Sequence, residues 1–147
     1  MQQYPVREVM SQPAIAIEWG ESILNASALM EARQVRRLPV VDDENIVIGI
    51  ISLGDVREAI SVYSTASPYA PDQDEILLDV DEVMATPALT VTLDATLLEV
   101  VRLLVEHKVG GIPVVDVGGH PLGMVTESDI FRLLIREWET AENEAYA

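Results

Sequence analysis

Leu38-Pro39-Val40-Val41-Asp42, followed by Gly49-Ile50-Ile51-Ser52 and Asp55, returns 74 residues later as Ile112-Pro113-Val114-Val115-Asp116, followed by Gly123-Met124-Val125-Thr126 and Asp129. The same shift carries Val6-Arg7-Glu8-Val9-Met10 onto Val80-Asp81-Glu82-Val83-Met84, and Pro13-Ala14 onto Pro87-Ala88. No gap is needed from position 6 to 58, and 15 of those 53 pairs are identical. Self-similarity at a fixed period marks one supersecondary unit used more than once. The chain is a tandem duplication.

Each copy reads as β-α-β-β-α, an α/β (α+β) pattern. Ala14-Ile15-Ala16-Ile17 and Leu89-Thr90-Val91 predict a first strand. A helix follows from Ser22, with Ile23, Ala26, Leu29 and Met30 on one face; its twin starts at Thr96 with Leu97, Val100, Val101 and Leu104. Two strand pairs come next, 38–41 with 46–51 and 112–115 with 122–125, joined by turns of hairpin composition at 42–45 and 116–119. Closing helices start near Leu53 and Glu127. One copy is too small to cover both faces of its sheet, so the two tandem repeats are expected to pack about a pseudo-two-fold axis. The predicted organisation is a first repeat over 1–60, a linker over 61–79, a second repeat over 80–136 and an acidic tail over 137–147. The apolar end of the linker, Ile76-Leu77-Leu78, is expected to pack back as a helical lead-in to the second copy.

Composition narrows the function. The 147 residues carry 25 Asp plus Glu against 9 Lys plus Arg, a formal charge of −16. Phosphate neutralisation on DNA or RNA needs clustered bases, and anionic lipid attracts polybasic segments, so neither nucleic acid nor a membrane surface is an expected partner. Six of the acids fall in Asp72 to Glu82 and four in Glu137 to Glu144, which leaves 15 against nine elsewhere. The excess therefore belongs largely to linker and tail, and one small phosphate held locally is not excluded. With no Cys there is no disulfide framework and no thiolate site, and no signal peptide is read at the start, so a cytoplasmic location is expected. The longest strongly apolar stretch without charge, Asn45 to Gly54, falls short of the ~18 residues a membrane span needs.

Two features could carry chemistry. The first is the repeated Gly-x-x-Ser/Thr-x-x-Asp. A hydroxyl followed three residues later by an acid at a helix start forms a capping box; the same helix N-terminus attracts anions, and an acid there can accept both ribose hydroxyls. The two readings are compatible. The second is Arg33, Arg36 and Arg37, three of only nine bases. Their partners could be the chain's own Asp42, Asp43 and Glu44, or a phosphate, which suits bidentate guanidinium donors. The twins of Arg36 and Arg37 are Gly110 and Gly111, which supply no charge. His107 and His120 have no companions at metal-ligand spacing, so no metal is expected, and no nucleophile triad or Gly-rich nucleotide fingerprint is read. The chain is not expected to be an enzyme. Its last helix, with Phe131, Leu134, Ile135 and Trp138 beside Ile130 and Leu133, is apolar around most of its circumference, and a homodimer is expected.

The repeated Val-x-x-Val-Met-x-x-Pro, the helix, Pro-Val-Val-Asp and Gly-x-x-Ser/Thr-x-x-Asp together resemble the CBS domain, and two in tandem resemble a CBS pair, or Bateman module. The likeness runs from about Val6 to Leu134. It implies two clefts between the sheets that bind adenosine compounds (AMP, ADP, ATP or S-adenosylmethionine) and regulate another protein, with no cofactor required. Position by position, it implies Asp55 and Asp129 as ribose acids, Ser52 and Thr126 as hydroxyls near phosphate or ribose, and Ala14, Ile15, Ala88 and Leu89 as first-strand positions whose backbone reads adenine. Val35, Arg36, Arg37 and Pro39, with Val109, Gly111 and Pro113, would line the clefts, Arg36 and Arg37 meeting phosphate. The alternative is a structural or protein-interaction module with no nucleotide.

Overall fold

A computed structural model describes residues 4–65 and 77–146. Its elements are a 3-10 turn (Val6–Glu8), β1 (Ile17–Glu18), α1 (Ile23–Arg33), β2 (Arg37–Val41), β3 (Val47–Ser52), α2 (Leu53–Thr65), α3 (Val80–Val83), β4 (Val91–Thr92), α4 (Leu97–His107), β5 (Gly111–Val115), β6 (Pro121–Thr126) and α5 (Glu127–Ala145). They form two three-stranded sheets, ordered β1-β2-β3 and β4-β5-β6. The first strand of each is parallel to its neighbour, Ile17 facing Val40 and Val91 facing Val114, while β2 and β3 run antiparallel. Among the described residues no helix is long and apolar enough to cross a membrane.

Local chemistry accounts for the helix boundaries. Ser22 caps α1 by accepting the Asn25 N–H at 3.1 Å, and Thr96 with Glu99 closes a capping box on α4 at 3.2 Å in each direction. Both helices end on twin residues in the left-handed region, Gln34 at φ 55° and Lys108 at φ 54°. The first hairpin turns on Asp42, whose Oδ1 accepts the N–H groups of Glu44 and Ile46 at 2.9 and 3.0 Å.

The compact units cut the chain differently from the sequence repeats. One comprises Ile15–Leu89 and Gly119–Pro121, the other Met1–Ala14, Thr90–Gly118 and Leu122–Ala147; they are called here the first-repeat and second-repeat units after the sheets they contain. The two leader segments, 6–14 and 80–88, are therefore exchanged. Val80, fully buried, joins Ile23, Met30, Leu38, Val40, Ile51 and Val56 in the first-repeat core, with Leu78, Val83 and Met84 packed against it. Val9 joins Leu97 and Leu133 in the second-repeat unit, with Tyr4, Val101 and Ile130 against them. The Tyr4 hydroxyl donates to Glu137 on α5, and that bond above all, then burial, raises the phenol above its ordinary pKa.

Several local expectations shift. The first strands start late, at Ile17 and Val91; ahead of β1, Ala14 donates its N–H to the Leu122 carbonyl at 3.2 Å and not to the β2 ladder. The helical lead-in is α3, beginning at Val80; Leu77 and Leu78 precede it, and Leu78 packs into the first-repeat core, while Ile76 lies outside the described residues. Residues 61–65 of the expected linker continue α2, and its 66–76 stretch lies outside the described residues. The acidic stretch from Glu137 to Glu144 continues α5 as helix.

Candidate functional site

The strand-to-helix junction of each repeat is built by the motif read from the sequence. At the start of α2 the Ser52 N–H donates to Asp55 Oδ2 at 2.9 Å, and the Asp55 N–H donates to Ser52 Oγ at 3.0 Å. At the start of α5 the Thr126 N–H and hydroxyl both donate to Asp129 Oδ2, at 2.9 and 3.1 Å. The capping role is realised in both copies.

The motif glycines answer to the exchanged leaders. Ala85 and Ile50 trade two backbone bonds, at 2.9 and 3.1 Å, and Ser11 and Met124 trade two at 2.8 and 3.0 Å. A Cβ on Gly49 would stand 2.5 Å from Met84 Sδ, and one on Gly123 would stand 2.6 Å from the Ser11 carbonyl oxygen. Each leader thus lies directly over its glycine; a side chain at Gly123 would meet leader backbone, and one at Gly49 would first meet the movable Met84 side chain.

The two acids differ in what already holds them. Asp129 is 6% exposed, and its Oδ1 accepts the Ser11 hydroxyl at 2.7 Å and an Arg132 guanidinium N–H at 3.1 Å. With the two donors on Oδ2, all of its roughly four acceptor positions are used. Asp55 is half-buried; its Oδ2 holds the Ser52 N–H, and no bond among the described residues reaches its Oδ1. The leader position that supplies Ser11 to Asp129 is Ala85 beside the other motif, a side chain without a donor.

A cavity opens beside each acid. Beside Asp55 it measures about 500 Å³ and is lined by Glu58, Ala59 and Val62 of α2 and by Leu78, Glu82 and Val83 of the leader. Beside Asp129 it measures about 450 Å³, between Arg132, Ile135 and Arg136 of α5 and Glu8, Val9 and Met10 of the leader. These are largely twin surfaces under the 74-residue shift, yet Glu58 and Val62 correspond to Arg132 and Arg136. Three carboxylates line the first, and two acids balance two guanidinium groups in the second.

The remaining predicted site residues distribute as follows. Arg37 is half-buried at the start of β2, opposite Ser52 in the ladder, and the carbonyl of exposed Arg36 accepts the Leu53 N–H at 2.7 Å. Both bases therefore flank the first turn of α2. Among the described residues neither makes an ion pair: Asp42 is committed to its turn and Asp43 accepts the Trp19 indole N–H at 3.1 Å. In the second-repeat unit the equivalent bond runs from the Glu127 N–H to the carbonyl of uncharged Gly110 at 3.0 Å. Pro39, Gly111 and Pro113 are buried within β2 and β5, and Val35 and Ile15 pack on the first-repeat core. Val109 lines a separate apolar cavity with Val101, Leu104, Val105, Ile130 and Phe131, not the one at Asp129. Ala14 belongs to the unit of Asp129, and Ala88 and Leu89 to that of Asp55. The leader exchange thus crosses the pairing that repeat order implies.

Ser11, Glu8, Arg132 and Arg136 were not among the predicted residues. Arg132 and Arg136 follow Asp129 by three and seven, one helix face, so spacing alone could have flagged them. Nothing local marks Ser11. The carboxylates of Asp79, Asp81 and Glu82 also lie close enough to share a cation, but they are exposed acids with nothing further to mark a site.

The CBS-domain profile matches residues 6–62 and 80–136. A CBS domain-containing protein of Dictyostelium discoideum is 33% identical over 140 residues, covering 91% of this chain and 93% of that protein. The chain also matches, at 28% identity, 24% of the length of a homoserine O-acetyltransferase from Methanosphaera stadtmanae. Among solved structures, the CBS domain pair of protein MJ0100 in complex with 5′-methylthioadenosine and S-adenosyl-L-methionine superimposes with a TM-score of 0.79 at 25% identity, covering 92% of this chain and 99% of that one. CBSX2 in complex with AMP gives 0.71 at 26%, covering 90% and 97%.

Proposed function

The chain belongs to the CBS-domain family, and on that premise we propose that it is a regulatory module that binds an adenosine compound and passes the bound state to a partner protein. Similar domain pairs were solved with S-adenosyl-L-methionine, 5′-methylthioadenosine and AMP. The observation that carries the reading is the set of unspent groups around the start of α2. Among the described residues no bond reaches Asp55 Oδ1, and Arg36 and Arg37 make no ion pair. Oδ1 accepts a ribose hydroxyl, Ser52 offers its hydroxyl proton, and the guanidinium groups meet a phosphate at the positive end of the helix. Ala88 and Leu89, in the same unit, offer backbone for adenine.

Signalling then needs no chemistry. A ligand that favours one conformation shifts the population toward it, and a partner responds through its differential affinity for the two. The module acts in the cytoplasm without catalysis of its own, and the exposed Phe131, Ile135 and Trp138 flank of α5 is the face on which two copies pair.

Thermal unfolding with adenosine, AMP, ADP, ATP and S-adenosylmethionine tests the reading. A ligand at 100 times its Kd adds about 2.7 kcal/mol to the native state. At least one compound should raise the Tm, and Asp55→Ala should abolish that rise. A wild-type curve that none of them moves would leave a structural or protein-interaction module.

A further inference from the structure

We infer that Ser11 is a built-in occupant of the Asp129 carboxylate, so that the chain carries one diol-reading acid, Asp55, where its repeats supply two. This rests on the adenosine reading above and adds which unit takes the ligand and which residue decides it. A ribose cis-diol presents two donors and needs two acceptor positions on a carboxylate. On Asp129 the positions are filled, by Ser11 and Arg132 on Oδ1 and by the two Thr126 donors on Oδ2. The Arg132 side chain is 67% exposed and can swing into water. Ser11 is different, because its backbone is pinned to Met124 by two bonds.

With its backbone held, the serine places a hydroxyl 2.7 Å from the oxygen that a ribose hydroxyl would use, and only rotation about its Cα–Cβ bond can remove it. A diol arriving at Asp129 has to break this charge-assisted bond and gains only its like in return. At Asp55 the equivalent leader position is held by the equivalent pair of backbone bonds, from Ile50, but its residue is Ala85. The methyl competes for nothing, and no described residue reaches Oδ1. One hydroxyl, present in one leader and absent from the other, adds to the difference that Arg132 in place of Glu58 makes between the two motifs.

The test exchanges the two leader residues and follows adenosine binding by calorimetry. Wild type should bind one adenosine per chain, and Asp55→Asn should lose it. Ala85→Ser should weaken that site about tenfold or more, and Ser11→Ala should add a second site. Two equivalent sites in wild type, or Ala85→Ser binding as tightly as wild type, would overturn the inference and leave the adenosine reading standing. If wild type binds no adenosine compound, the adenosine reading falls, and with it the assignment of Asp55 as the diol-reading acid. A folded Ser11→Ala is checked by its circular dichroism.

Discussion

Alanine at the two motif glycines should cost unequal amounts, for a reason visible in what lies above each. Neither glycine has a left-handed φ, so backbone strain is not at issue and the added Cβ decides the outcome. At Gly123 the obstacle is the Ser11 carbonyl at 2.6 Å, a backbone atom held in two hydrogen bonds with Met124. Relieving it means moving the leader, so an overpacking cost of about 1–3 kcal/mol adds to two bonds worth ~0.5–1.5 kcal/mol each. About 0.4–1 kcal/mol returns through the stiffer unfolded chain, leaving a net loss of ~3 kcal/mol. At Gly49 the nearest atom is Met84 Sδ at 2.5 Å, which can rotate away, and the Ala85 carbonyl stands back at 3.0 Å; the net loss there is ~1 kcal/mol. With ~2–4 °C of Tm per kcal/mol for a chain of this size, Gly123→Ala should melt roughly 6–12 °C lower and Gly49→Ala roughly 2–4 °C lower. Calorimetric melting of both variants, and of double mutants with Met10→Ala and Met84→Ala, supplies the assay. Coupling should be clear for Gly49 with Met84 and small for Gly123 with Met10, whose sulfur is not the main obstacle. Equal losses, or a rescue at Gly123 by Met10→Ala, would refute the reasoning.

Three further outcomes can be checked independently. Val80→Ala removes two methyl groups from a fully buried position and should cost about 2–3 kcal/mol; hydrogen exchange should accelerate in residues 15–60, and a loss confined to 90–146 would contradict the leader exchange. Gln34→Gly and Lys108→Gly, each at a left-handed C-cap, should stabilise by ~0.5–1 kcal/mol, with an unchanged or lower denaturation midpoint counting against strain there. Asp94 is held below the ordinary carboxylate range chiefly by the Thr92 hydroxyl and then by its own backbone N–H. Its contribution to stability is therefore present above the unfolded pKa and lost as pH falls through the lower folded value. Thr92→Val should move the Asp94 midpoint up in an NMR titration, and an unmoved midpoint would assign the shift elsewhere.

The candidate site was partly legible in advance. Ser52, Asp55, Thr126 and Asp129 were readable because a cap and its acid are local, three residues apart on one turn. The charge at Arg36 and Arg37 against Gly110 and Gly111 was readable because twin positions can be compared directly. What escaped was every contact made by the leaders, including Ser11 on Asp129 and Met84 over Gly49, since those partners lie far apart in the chain.

The sequence by itself determined the duplication, the β-α-β-β-α order of each copy, the caps that start the closing helices and the uneven charge beside them. Each of these follows from periodicity or from residues within a turn of one another. Only the tertiary structure decided which leader serves which sheet. The two copies offer nearly the same surface to either leader, with a glycine, a methionine and a valine at matching places, so a comparison of twins is blind to the exchange. The path of the backbone breaks that degeneracy. It carries Ser11 to Asp129 and Ala85 to the motif of Asp55, and in doing so separates an acid that is already satisfied from one whose Oδ1 no described residue reaches.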